Sequence, residues 1–126
     1  MSSFVLPLNV VCLNSNVTVI TAWGNDVSFE SIFSRQVEAH GTKGAVLWGL
    51  STSGSSPNVV EAFRAATKIG MKKIALTGHS GGDLAKSADV LLNVPAVDAP
   101  RVQELHIPVY HFICAEVEKA VGGSLG

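Results

Sequence analysis

The chain has 126 residues, 47% of them hydrophobic and 15% charged, which suits one core-rich domain. A formal net charge of -1 and the lack of any Lys/Arg cluster give no field to attract DNA or RNA, so no nucleic-acid partner is expected. Cys12 and Cys114 stand alone, outside any CxxC or zinc spacing, as reduced thiols of a cytoplasmic protein do. Residues 1–20 are apolar, but no basic residue precedes Arg35, and Asn9, Asn14, Ser15 and Asn16 interrupt them. Neither a secretory signal nor a membrane span is expected.

In chain order, the apolar run Leu8–Leu13 reads as a strand, followed by helical patterns over Ser15–Ala22 and Ser28–Ala39. A second strand is expected over Ala45–Leu50, then a turn, then a helix over Pro57–Ile69. In that helix Val59, Val60, Phe63, Ala66 and Thr67 oppose Glu61, Arg64 and Lys68, and Gly70 stops it. Lys73–Thr77 and Asp89–Val94 complete about four strands, each apolar along its length as strands covered on both faces are. A short helix over Gly82–Lys86 lies between them, and a long one runs from Pro100 to Val121. The alternation predicts an α/β, doubly wound parallel sheet flanked by helices. Residues 1–121 form a single domain on this pattern, and residues 122–126 a flexible tail.

Three constellations carry chemistry. Between Ala45–Leu50 and the helix at Pro57 lies Ser51-Thr52-Ser53-Gly54-Ser55-Ser56-Pro57-Asn58. A strand, a hydroxyl-rich turn and a helix N-terminus together suit a phosphate, because helix-end N–H groups and hydroxyls both donate to anionic oxygens. The competing explanation is ordinary helix capping, but one cap does not need Ser51, Thr52, Ser53 and Ser56 together. No Lys-Ser/Thr closes the turn as in a P-loop and no GxGxxG occurs, so a sugar phosphate fits better than ATP.

The second is Gly78-His79-Ser80-Gly81-Gly82, which matches the G-x-S-x-G nucleophile elbow after a strand and before a helix. A serine hydrolase would use Ser80, then Asp89 or Asp98, then His106 or His111. The chain is short for an α/β-hydrolase and shows no HGGG-type oxyanion loop, so a structural glycine-rich turn competes. The third is the segment from Arg101 to His111, where Gln103, Glu104 and His111 fall on one side of a helix. Such a face can hold a sugar or a metal and move protons. A solvated face for Glu104 and a hydrogen-bonded core histidine for His106 or His111 are the bland alternatives. Pro108 interrupts the pattern, and 107–113 alone would pass for a strand.

Together these residues resemble the sugar isomerase (SIS) domain family and, within it, the phosphoheptose isomerases. The likeness runs through Gly24-Asn25-Asp26, Phe33-Ser34-Arg35-Gln36-Val37-Glu38, Gly49-Leu50-Ser51-Thr52-Ser53-Gly54, Ser56-Pro57-Asn58-Val59, Gly70-Met71-Lys72, Ala75-Leu76-Thr77-Gly78 and Gly81-Gly82. It ends in Arg101-Val102-Gln103-Glu104 with His106 and His111. The resemblance implies a flavodoxin-like strand order and an aldose–ketose isomerase acting on sedoheptulose 7-phosphate through an enediol. It implies that Ser51, Thr52, Ser53 and Ser56 hold the phosphate and that Asp26 and Asp98, with Glu104, shape the sugar site. Gln103 and His111 take the family's acid/base and metal-proximal roles, with zinc as the one cofactor implied and a homotetramer as the assembly. A non-catalytic sugar-phosphate-binding or interaction module is the alternative, and a hydrolase using Ser80 the third.

The sequence departs from the family at Ser55, usually Asn, at Ser80, usually Asp, and at Pro108, usually a helix former. The family's N-terminal helix, first strand, GNGGS loop and the next helix with its His and Glu have no counterpart here. Without the first strand, Leu8–Leu13 is expected either to pair directly with Ala45–Leu50 or to stand as an unpaired apolar edge.

Overall fold

The computed structural model describes residues 7–122. Helix α1 spans Val17–Asp26, and the Asn16 side chain caps it by accepting the Val19 N–H at 3.1 Å. The expected helix over 28–39 divides into a 3-10 turn, Phe29–Ser31, and helix α2, Ile32–His40. The Ser31 hydroxyl marks the break: it accepts the Trp23 indole N–H at 2.8 Å and so ties α1 to the start of α2. Arg35 adds to this joint, its guanidinium stacked 4.7 Å from the Trp23 ring.

Strand β1 is Val46–Ser51, α3 is Pro57–Ile69 and β2 is Lys72–Thr77. A 3-10 turn over Gly82–Lys86 follows where a short helix is expected, and then β3, Val90–Asn93. Helix α4, Ala99–Gly122, runs unbroken through Pro108, so 107–113 is helix and not strand. Gly122 belongs to α4, and residues 123–126 of the expected tail lie outside the described residues. None of the described helices is long and apolar enough to cross a membrane.

The sheet is parallel, with order β1-β2-β3 and Gly49 paired to Ala75 and Ala75 to Leu91. The central strand β2 carries Ala75, Leu76 and Thr77 fully buried, which accounts for the apolar stretch Ile74-Ala75-Leu76 within it. Helix α3 covers one face with Ala62, Phe63, Ala65 and Ala66. It lies so close that a Cβ on Gly49 would meet Phe63 at 2.6 Å, so β1 needs glycine at that point. Gly70, at φ +88°, stops α3 in the left-handed region, and its N–H and that of Met71 both return to the Ala66 carbonyl.

Residues 8–13 are not a strand, which corrects the expected four strands to three among the described residues. They pair with nothing in the sheet, Val10 is 79% exposed, and β1 is left as the open edge. An apolar run becomes a strand only where a neighbouring ladder takes its N–H and C=O groups. The segment is instead held at its end by buried Gln36, whose amide donates to the Leu13 carbonyl at 3.0 Å.

Candidate active site

The carboxyl ends of parallel strands gather loops, and here two of them interlock through glycine. Gly54, at φ +69°, lies so near Gly81 that a Cβ would sit 2.1 Å from the Gly81 carbonyl oxygen. The Gly78 N–H donates to the Thr52 carbonyl at 3.0 Å, the Leu84 N–H to the Gly54 carbonyl at 2.9 Å, and the Asp83 N–H to the Ser55 hydroxyl at 3.0 Å. The 51–56 turn is thus held to the 78–84 loop by two backbone bonds and one to the Ser55 hydroxyl. Ser56 begins α3, but its hydroxyl makes no capping bond; it lies 2.8 Å from the Ser51 hydroxyl instead. Ser51 itself is buried.

Helix α4 closes the other side. Only Val102 and His106 of its residues are buried, and Val102 seats against Gly78, where a Cβ would come within 3.1 Å of its side chain. One turn on, the His106 ring meets the Thr77 carbonyl at 2.9 Å. Between this helix and the 51–56 turn lies a cleft of about 500 Å³. Leu50, Ser51, Thr52 and Ser56 line one wall; Gln103, His106, Ile107 and Tyr110 line the other. The second set has helical i, i+3, i+4, i+7 spacing, so a single face of α4 meets the cleft.

The expected site residues divide accordingly. Ser51, Thr52, Ser56 and Gln103 come together in the cleft. Ser53 is exposed and its hydroxyl accepts the Ser55 N–H at 3.1 Å, within the turn. Asp26, at the end of α1, is exposed and accepts from the Asn25 amide at 2.9 Å. Asp98 is exposed just before α4, where its carbonyl accepts the Val102 N–H. Glu104 pairs with Arg101 at 2.7 Å on the solvent side. His111 is exposed, its ring 5.1 Å from that of Tyr110 between centroids. A rotation of about 100° per residue puts His111 and Glu104 roughly 80–100° around the helix from Gln103. Composition alone does not say which of these neighbouring stripes faces the sheet. His106 and Tyr110 form the wall that sequence reasoning missed, and their spacing from Gln103 is the signal that could have found them.

The elbow chemistry is not assembled. The Ser80 hydroxyl accepts the Gly82 N–H at 3.3 Å. Asp89 accepts the Lys73 backbone N–H at 2.7 Å and faces Lys73 Nζ at 3.4 Å; that backbone bond, first, and the ammonium hold its carboxyl below the usual range. His106 is taken by Thr77. Zinc finds a poor donor set too: no three His, Cys, Asp or Glu side chains cluster among the described residues. Gln103 and His111 would supply two donors, short of a zinc shell, so no step is routed through a metal here.

A family model described as SIS domain matches residues 5–78. The phosphoheptose isomerase of Burkholderia pseudomallei (strain 1710b) is 46% identical over 116 residues, 92% of this chain and 59% of that protein. The phosphoheptose isomerase of Rhodospirillum rubrum is 47% identical over 115 residues, 91% of this chain and 61% of that protein. Among solved structures, phosphoheptose isomerase GmhA from Neisseria gonorrhoeae superposes with a TM-score of 0.81 at 48% identity, over 83% of this chain and 60% of that one. A phosphoheptose isomerase from Francisella tularensis gives a TM-score of 0.86 at 38% identity, over 90% of this chain and 61% of that one. The chain therefore spans about three fifths of the length of the relatives it matches.

Proposed function

The chain belongs to the SIS domain family, and from that premise we propose that its cleft binds a sugar phosphate and takes part in interconverting sedoheptulose 7-phosphate and an aldoheptose 7-phosphate. The observation that carries this is the pair of hydroxyls, Ser51 and Ser56, held 2.8 Å apart at the start of α3 across the cleft from Gln103. With Thr52 they give neutral donors at a helix end, suited to a phosphate dianion; Ser53 stands beside them in the same turn.

In the ketose-to-aldose direction, a base takes a proton from C1, and the C–H electron pair becomes the C1=C2 bond of an enediol as O2 gains a proton. Protonation at C2 and loss of the O1 proton then give the aldehyde. No carboxylate lines the cleft, and His111 lies outside its lining too, its ring 5.1 Å from that of the cleft residue Tyr110; in this reading His111 takes the acid/base role and the Gln103 amide orients the reacting oxygens. Asp26, Asp98 and Glu104 lie off the cleft lining. They enter only across a subunit boundary, consistent with a homotetramer whose sites are shared. The open edge of β1 and the exposed Phe112 and Val117 of α4 favour association. Exposed free thiols at Cys12 and Cys114 suit the cytoplasm, and no basic cluster invites nucleic acid.

Calorimetry with sedoheptulose 7-phosphate, paired with a turnover assay, tests the proposal. Binding that is lost in the Ser51→Ala/Ser56→Ala double variant, with turnover lost in His111→Ala, is expected. Absence of binding by the parent chain would overturn it, and binding without turnover would reduce it to a sugar-phosphate-binding module.

A further inference from the structure

We propose that His106 is a substrate-binding residue, its Nδ1 accepting a hydrogen bond from a hydroxyl of the bound sugar; this rests on the cleft being a sugar-phosphate site. His106 is only 3% exposed, yet its ring forms part of the cleft wall, one helical turn after Gln103 and about one before Tyr110. Its Nε2 lies 2.9 Å from the Thr77 carbonyl oxygen. A carbonyl only accepts, so Nε2 carries the hydrogen, and in the singly protonated ring that leaves a lone pair on Nδ1. The same carbonyl also accepts the Val94 N–H at 3.0 Å, which fills its second lone pair and fixes the strand end that the ring rests on. Nδ1 itself has no protein partner among the described residues, and Trp48 Nε1 is the one fully buried side-chain polar atom among them without one. Nδ1 is therefore not sealed from solvent, and the ring that carries it lines the cleft.

The cleft otherwise supplies hydroxyls, an amide and a phenol. Hydroxyl donors on the 51–56 wall serve an anion. A sugar also carries its own O–H donors, and an imidazole nitrogen already locked in one tautomer is an acceptor that needs no reorganisation to meet one. The Thr77 bond thus does two things: it seats α4 on β2 and it aims the acceptor.

The variant that separates these tasks is His106→Gln. A glutamine amide nitrogen reaches the Nε2 position and can still donate to the Thr77 carbonyl, but it leaves no acceptor where Nδ1 was. Calorimetry of His106→Gln is expected to show inorganic phosphate bound as by the parent chain and sedoheptulose 7-phosphate bound about fivefold to tenfold more weakly. Equal affinity for the sugar phosphate in both chains overturns the assignment, as does an equal loss of affinity for both ligands. A parent chain that binds phosphate but gains nothing from the sugar also overturns it. A parent chain that binds neither overturns the cleft reading itself, and His106 with it. An independent measurement needs no variant: ring ¹⁵N shifts of His106 in the parent chain, titrated with sedoheptulose 7-phosphate. Nδ1 is expected to move while Nε2 holds, and an unmoved Nδ1 at saturation overturns the proposal even where His106→Gln does not fold.

Discussion

The hydroxyls of Ser51 and Ser56 lie 2.8 Å apart, one at the end of β1 and one at the start of α3. The turn between them is held by backbone bonds to the 78–84 loop, so neither hydroxyl is needed to keep its shape. Each is left with capacity to bond an anionic oxygen. Ser51→Ala and Ser56→Ala are each expected to weaken sedoheptulose 7-phosphate binding by about tenfold, while stability changes by no more than about 1 kcal/mol. Isothermal calorimetry and urea denaturation on the same samples check both halves, and a binding loss that merely tracks unfolding would assign these serines to the scaffold.

Gly54 tests the interlock from the other direction. At φ +69° with the Gly81 carbonyl 2.1 Å from a built Cβ, Gly54→Ala meets both backbone strain and a clash with main chain. The expected cost exceeds about 2 kcal/mol, or a Tm lower by roughly 5–10 °C. Gly44 has a positive φ too, but nothing lies within 4 Å of its Cβ position, so Gly44→Ala is expected to cost clearly less. Equal Tm values for the two variants would show that the loops yield rather than lock.

Much of this scaffold was legible in sequence, for reasons local to each segment. The spacing of Val59, Phe63 and Ala66, with Pro57 before and Gly70 after, fixes α3 without reference to the rest of the fold. β2 is readable from Ile74-Ala75-Leu76, a short apolar stretch of the kind that a strand covered on both faces carries. Residues 8–13 misled because their apolarity says nothing about whether a neighbouring ladder exists. Along α4, Pro108 sits on the exposed side, where the helix tolerates it, and only Val102 and His106 are buried. That shallow seat leaves a weak periodic signal, so the cleft-facing stripe could not be told from the one carrying Glu104 and His111.

Asp89 makes stability depend on acid. The Lys73 backbone N–H, and then its ammonium, favour the carboxylate and hold its pKa below the ordinary 3.8. A group depressed on folding stabilises the fold above its unfolded pKa, and that contribution fades as pH falls below 3.8 toward the folded value. Asp89→Asn keeps an acceptor for the backbone N–H but leaves the buried Lys73 ammonium without its counter-charge. The variant is expected to be less stable at pH 7, with the gap closing below pH 3.8. Thermal melts at stepped pH check this, and a gap that is constant down to pH 3 would mean that the pair does not titrate with folding.

Gln103 and Glu104 are adjacent in sequence and both are expected site residues, yet they meet different surroundings. Gln103 lines the cleft opposite Ser51, whereas Glu104 is turned to solvent against Arg101 at 2.7 Å. An exposed pair three residues apart contributes on the order of 0.5 kcal/mol or less. Glu104→Ala is therefore expected to leave both stability and sugar-phosphate affinity of the isolated chain nearly unchanged. Gln103→Ala removes an amide from the wall that the reacting oxygens would face, and is expected to weaken binding by about fivefold or more with no change in Tm. Should Glu104→Ala instead lose affinity, and lose it more at protein concentrations that favour association, then Glu104 acts in a neighbouring subunit's cleft. The concentration series decides this, because a contact within one chain is indifferent to dilution and a contact between chains is not.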